Sequence, residues 1–258
     1  MIKVIKKIIN KKLLPHLSKC NRGPRCKVCL WRIVRAILKR LKTGLQWREL
    51  PMRELFGRHT ISWKTVFYYF AKWSKDGSWY RLWTSLLQIN KQFLDMSSVE
   101  LDGSHTPVKR GGHSVGYQGR KKAKTTNLLF LTDRQGIPLA CSDPVSGNHN
   151  DLFDIEKSVF KIIETLKDSC IQHEGLFLNA DAGFDSQHLR MIFDRLDIIA
   201  NIDINKRNSK NPDQHDYYFD PQLYKERFVV ERTNAWIDGF KNLIIRYEVN
   251  SKHWLGLH

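Results

Sequence analysis

Residues 175–181 read GLFLNAD, an apolar run that ends on an acid. A short apolar run closed by turn signals reads as a buried strand, and this one delivers Asp181 at its end. Earlier in the chain, SSVELDG at 97–103 has the same form and delivers Asp102. Later, YKERFVVERTNAWIDGF at 224–240 has helical spacing and carries Glu231. Acids at the ends of two strands, with a third on a later helix, can hold two hard cations through oxygen. Such a metal pair activates one oxygen and stabilises the leaving oxygen of a phosphodiester. The intervals, 79 and 50 residues, say little in a chain with 26 acids; the local contexts carry the reading.

Around these runs the pattern is regular. Apolar stretches lie at 98–102, 126–132 and 137–142, and DRQG (133–136) between the last two reads as a hairpin turn. SGNHND (146–151) precedes a helical pattern at 152–167, residues 186–196 read as a helix, and IIANIDI (198–204) as a fifth strand. A polar segment, 205–221, leads into the Glu231 helix. The order strand, strand, strand, helix, strand, helix, strand, helix is α/β, a ribonuclease H-like mixed sheet with flanking helices. In that layout the first and fourth strands are neighbours, the last helix packs on the sheet, and the three acids converge.

The first part of the chain differs. Residues 1–99 hold 22 lysines and arginines against 4 acids, whereas residues 100–258 hold 21 against 22. Essentially all of the +17 net charge is therefore in the first part, which fits binding of a polyanion with strong salt dependence. LWRIVRAILKRLK (30–42) is a helix pattern ended by Thr43-Gly44, and Pro51 marks a break. Thr60 or Ser62 caps a helix through WKTVFYYFAKWSK to Gly77. Another helix runs from Ser78 through about Leu94. These make a small all-α, helix-turn-helix-type domain over 1–95, ahead of a catalytic domain over 96–258. The helix starting near Ser62 is the expected groove reader, with Lys64, Thr65 and Tyr68 near its leading end. Trp31, Trp47, Trp63, Trp73, Trp79 and Trp83 fall in this part and read as core.

Other classes are excluded on composition. Hydrophobic residues at 41% and aromatics at 11% argue against wholesale disorder. No run of 18 apolar residues exists, so no membrane span is expected. The opening MIKVIKKIINKK lacks the continuous apolar core of a signal peptide. Its stripe of Ile2, Ile5, Ile9 and Leu13, ended by Pro15, reads as packing on the next helices rather than on a membrane. Five cysteines form no disulfide framework, which suits a reducing cytoplasm. His16, Cys20, Cys26 and Cys29 offer four nitrogen and sulfur ligands within 14 residues for a tetrahedral zinc. Their spacing is not that of a paired knuckle, and they read as free thiols in a basic segment.

Tyr224, Arg227 and Glu231 stand at i, i+3 and i+7 and so share one helix face. That signature resembles the DDE transposases of bacterial insertion sequences, in the insertion-sequence four/five superfamily. LDGSHTPVKRGG (101–112) resembles the family's first-acid context and NADAGFDS (179–186) its second. TGLQWRELP, FGRHTISW and KWSKDGSW resemble its amino-terminal module. The resemblance runs from about residue 22 to 250. It implies a DNA transposase whose amino-terminal module binds terminal inverted repeats. It also implies that Asp102, Asp181 and Glu231 hold two Mg²⁺ or Mn²⁺ ions, with Asp102 bridging. Water then frees a 3′-hydroxyl at the element end, and that hydroxyl attacks target DNA; both are in-line displacements. The implied partners are element-end and target DNA and, because two ends are joined, a homodimer or larger synaptic complex. The implied location is the bacterial cytoplasm, at the nucleoid.

Some roles stay open at this point. Tyr224 and Arg227 are either structural or grip DNA phosphates. Lys121 and Lys122, in RKKAK (120–124) between the first two strands, either touch DNA or form a solvated hairpin. Asp185 and one of Asn150 or Asp151 read as helix caps, and Glu226 as solvated. Many members of the superfamily carry Lys or Arg seven residues after the Glu; here that residue is Asp238, so a basic role there falls to another residue, with Arg232 and Lys241 as candidates. NSKHWLGLH (250–258) stops where relatives continue through more of a terminal apolar helix, so impaired folding or assembly is one expectation. A decayed or domesticated DNA-binding copy, and a ribonuclease H-like nuclease that only hydrolyses, are the alternative functions.

Overall fold

A computed structural model of the chain describes residues 2–20, 26–206 and 217–258, with side chains from Ile5 onward. The side chain of Ile2 in the first stripe, and 207–216 of the polar segment, lie outside the described residues. The helices up to the first strand are α1 (Ile2–Ile8), α2 (Leu30–Thr43), α3 (Met52–Phe56), α4 (Trp63–Lys75) and α5 (Ser78–Asn90). Then come β1 (Val99–Pro107), β2 (Gly116–Gln118), β3 (Ala123–Asp133), β4 (Pro138–Cys141), β5 (Val145–Ser146) and α6 (Ile155–Asp168). The remainder is β6 (Phe177–Ala180), α7 (Gln187–Arg195), β7 (Ile199–Ile202), α8 (Pro221–Lys225), α9 (Val229–Asp238), α10 (Lys241–Ile244) and α11 (Ser251–Leu255). Packing divides the chain into two units. One comprises Met1–Leu86, Lys109–His113 and Ile237–His258; the other comprises Leu87–Val108 and Ser114–Trp236.

The first unit is helical. Its core gathers Trp31, Val34, Ile37, Phe56, Val66, Phe70 and Trp73, and it takes in Leu243 and Leu257 from the late segment. All six tryptophans of this part are buried or half-buried, as large aromatics in a small core should be. Helix α2 stops at Gly44, whose φ of 70° lets its N–H reach the Arg40 carbonyl at 2.8 Å. Ser62 is the cap of α4: its hydroxyl accepts from the Lys64 N–H at 3.2 Å. Thr60 instead turns its hydroxyl onto the Gly57 carbonyl. Two charged groups hold the late segment. Arg40 pairs with Glu248 at 2.6 Å, the side chains only 6% and 7% exposed. Arg246 is fully buried and donates to the carbonyls of His113, Glu248 and Val249.

The second unit holds the sheet. Its order is β2-β3-β1-β6-β7, with β4 and β5 also pairing with β3. Taking the five longer strands, the order is β4-β3-β1-β6-β7; β1 and β3 are antiparallel, and β6 and β7 parallel to β1. This is the ribonuclease H-like arrangement, with helices packed on it: α6 on β4, α7 on β7 and α8 on β6. The short strands β2 and β5 do not appear in the sequence pattern, because two or three residues carry too little alternation to register. Residues 133–136 form the expected turn. Asp133 accepts from the N–H groups of Gln135 and Ile137, and Gly136 takes a φ of 83°. The expected continuous helix over 224–240 is broken by a 3₁₀ turn at Glu226–Phe228.

Candidate active site

The parallel register pairs Val99 with Leu178, Glu100 with Asn179 and Leu101 with Ala180. Carried one residue further, it sets Asp102 beside Asp181; Asp181 follows the end of β6, but Asp102 lies in the middle of β1, which continues to Pro107, and not at a strand end as its apolar run suggested. Asp181 leaves the strand still extended, and its carboxylate accepts from the Gly183 N–H at 2.7 Å. Asp102 is half-buried. Burial pushes its carboxyl up to about 6; the charges of Asp181 and Asp151 add to the rise, while bonds from the Gly103 N–H and from Asn234 oppose it.

Helix α9 approaches the same acid. The Asn234 amide donates to Asp102 at 3.1 Å. Glu231, one turn earlier, shares that face and is exposed. Thr233, fully buried, anchors the helix by donating to the Gly136 carbonyl at 2.6 Å. A side chain at Gly136 would come within 3.0 Å of Val229 and 3.1 Å of the Thr233 hydroxyl, so the hairpin tip doubles as the seat of α9. Among the described residues no three His, Cys, Asp or Glu side chains are gathered closely enough to hold a metal ion. The geometry thus joins Asp102 and Asp181 and leaves Glu231 one helical turn from the contact. Tyr224 and Arg227 lie on the preceding α8 and 3₁₀ turn, both half-buried, with the guanidinium 5.1 Å from the Tyr224 ring. Asp181 and Asp203 lie near enough to Tyr224 to add to the rise in its hydroxyl pKa, of which burial is the main cause.

Several acids do not stand where the sequence suggested. Asp185 is no helix cap: it pairs with the buried Arg190 at 2.9 Å and accepts from the Asn205 N–H. Asn150 and Asp151 do not cap α6, which begins after Asp154 with no side-chain cap. Asp151 instead accepts from Asn127 at 2.6 Å and lies against β1 at Gly103, where any Cβ would meet its carboxylate at 2.3 Å. Glu226 is bonded to Arg134 at 2.8 Å rather than solvated. Asp203 was read only as part of a strand, yet the register Ala180 to Ile202 carries it beside Asp181. No pattern in the sequence marked Asn234; a polar residue one turn after an acid on a helix face is too common.

In the helical unit Lys64 and Tyr68 are exposed and Thr65 half-buried on α4, while Val66, Tyr69, Phe70 and Trp73 fill its inner face. The outer face is therefore free of core duties. Lys121 and Lys122 are exposed at the turn between β2 and β3, and the Lys121 ammonium donates to the His105 carbonyl at 2.8 Å. All five cysteines are unpaired, and Cys20 lies 3.7 Å from the Tyr68 hydroxyl. Among the described residues no helix is long and apolar enough to cross a membrane.

Residues 101–254 match the family model "DDE superfamily endonuclease". Residues 9–83 match "Putative transposase of IS4/5 family". No curated protein matches. Among solved structures, the "Mos1 transposase paired-end complex with left transposon end" is similar at 11% identity and a TM-score of 0.32, covering 93% of this chain and 78% of that one. The "Mos1 mariner paired end complex with Mn" is similar at 12% identity and the same TM-score of 0.32, covering 99% and 82%. A likeness at that level carries no argument, and the fold rests on the strand order above.

Proposed function

The chain belongs to the DDE superfamily endonucleases, its two matches together being those of a DDE transposase of IS4/5 type, and we propose that it binds the terminal inverted repeats of an insertion sequence and carries out phosphodiester hydrolysis and strand transfer. The observation that carries this reading is the register that sets Asp102 beside Asp181 while α9 reaches Asp102 through Asn234. Carboxylate oxygens alone make a donor set suited to Mg²⁺ or Mn²⁺. Two acids side by side, one of them with a raised pKa, fit a cation that would relieve their repulsion. Asp102 and Asp181 would hold one divalent ion, and Glu231 would complete a second site from α9. When bound, two such ions supply charge stabilisation at the attacking and leaving oxygens.

The remaining roles belong to the chain itself. Arg227 and Tyr224 hold a backbone phosphate near the acids through charge-assisted bonds. Lys64, Thr65 and Tyr68 on α4 read the element end, and Lys121 and Lys122 lie along the DNA path. The functional division follows the chain, 1–95 for binding and 96–258 for chemistry. Joining two ends calls for a homodimer or larger synaptic complex, working at the nucleoid of a bacterial cytoplasm. The family's own description supports a second reading, an endonuclease that hydrolyses without joining.

The test is a cleavage-and-joining assay on DNA carrying the element's ends with Mg²⁺, run beside Asp102→Ala. Cleavage and joining that vanish in the variant are expected. Cleavage without joining would favour the nuclease. Specific end binding without chemistry in either protein would point to a decayed copy.

A further inference from the structure

Two residues below the paired aspartates, the sheet carries a second polar row. The registers place Thr132 of β3, Glu100 of β1, Asn179 of β6 and Asn201 of β7 side by side across four strands. All four are buried, none more than 1% exposed. Glu100 accepts from Asn179 at 3.0 Å, and Asn179 accepts from Asn201 at 2.7 Å. Asn201 also exchanges two bonds with the backbone of Asp220, at 3.0 and 2.8 Å. Asp220 in turn caps α8 by accepting from the N–H groups of Gln222 and Leu223. One chain of hydrogen bonds thus runs from the middle of the sheet to the start of the helical segment bearing Tyr224, Arg227 and Glu231.

The row is expensive for a purely structural device. Buried polar side chains lose their hydration, and well-packed apolar residues in their place are often neutral or stabilising. Two atoms are left over: the second oxygen of Glu100 and the hydroxyl of Thr132 have no hydrogen-bond partner among the described residues. What apolar residues cannot do is fix register. The row above, Leu101, Ala180 and Ile202, would pack equally well after a two-residue slip, because the side-chain period is two. A polar row tolerates no such slip, since its members would lose their partners. The rows alternate face, so Glu100, Asn179 and Asn201 share a face with Asp102, Asp181 and Asp203.

We infer that Glu100 is a positioning residue: through Asn179 and Asn201 it locks β1, β6 and β7 in the register that sets Asp102 beside Asp181, and ties that register to the start of α8. The inference rests on the metal-dependent reading above. It does not need Glu100 to be charged or to touch a metal, only to accept from Asn179.

The test is Mn²⁺ binding by the whole protein, followed by calorimetry, with thermal melting alongside. Wild type should bind Mn²⁺. Glu100→Gln keeps the accepting oxygen and should bind within about threefold of wild type, whereas Glu100→Leu should bind about tenfold or more weakly, the scale of lost supporting shells around metals. Glu100→Leu should still melt cooperatively. Equal binding by Glu100→Leu and wild type would overturn the inference. So would an equal loss in Glu100→Gln and Glu100→Leu, which would mean that the charge acts directly. If Glu100→Leu does not fold, Asn201→Leu at the far end of the row carries the same expectation, and unchanged binding there overturns it. A wild type that binds no Mn²⁺ would instead sink the metal-dependent reading, and this inference with it.

Discussion

Both units bury charge, and they do so in opposite ways. In the helical unit Arg40 meets Glu248 at 2.6 Å, with the guanidinium stacked 4.2 Å from the Trp47 ring. In the sheet unit Asp102 has other acids, Asp181 and Asp151, as its charged neighbours. The first arrangement brings opposite charges together within the chain, although two guanidinium nitrogens of Arg40 and one oxygen of Glu248 have no hydrogen-bond partner among the described residues. The second is incomplete, because like charges in a half-buried site favour a state in which something positive joins them. The difference separates a charge that holds the fold from charges arranged for a task.

The largest test of this contrast is Glu248→Ala. It leaves Arg40 buried without its counter-charge and should cost about 3–5 kcal/mol in urea unfolding. Replacing both partners with leucine should cost far less. A single variant as stable as wild type would show that the pair is no fastener.

Asp102→Asn should act in the other direction. The folded Asp102 carboxyl, at about 6, titrates above the ordinary carboxylate range, so between roughly pH 4 and 6 the folded protein binds more protons than the unfolded one. Stability contributed by its neutral form is present below that window and falls as pH rises through it. The asparagine variant should lack this slope and be more stable than wild type at pH 7 by on the order of 2 kcal/mol, while losing cleavage. Melts at pH 5 and pH 8 check it; identical slopes in the two proteins would contradict it.

The smallest expected effect, Gly136→Ala, concerns the seat of α9. A left-handed φ of 83° and a methyl 3.0 Å from Val229 should cost about 1–2 kcal/mol. Because Thr233 bonds the same residue's carbonyl, the variant should lose more cleavage than its stability loss explains. Loss of the two in proportion would reduce Gly136 to a turn residue.

Much of the fold was legible because its strands are long apolar runs between strong turn signals, as at 126–132 and 133–136. The acids at 102 and 181 stand out because each closes an apolar run, but the run ends before the strand does at Asp102: β1 goes on through polar residues to Pro107. The helix at 224–240 was legible as a helix but not as a broken one, since a 3₁₀ turn keeps nearly the same spacing. Asp151 and Asp185 read as caps because an acid before a helix usually is one; the fold instead brings Asn127 to Asp151, and Arg190, five residues on, reaches back from α7 to Asp185. Glu100 went unread although it stands inside an apolar run, where a buried carboxylate is itself a signal. The company of Leu243 and Leu257, both buried, lies beyond any local pattern, because the core they join is built mostly from residues 9–82.

That last feature sets a clock. The ribosome makes residues 1–86 before Ile237–His258, yet both belong to one packed unit. At 5–20 residues per second, the interval between the two is about 8–35 s. Throughout it the surface that Leu243 and Leu257 will cover is open, and Arg40 has no Glu248 to meet. The basic unit therefore completes itself only after the three acids have been translated. A nascent chain that already carries its three acids still lacks the segment that closes the helical core.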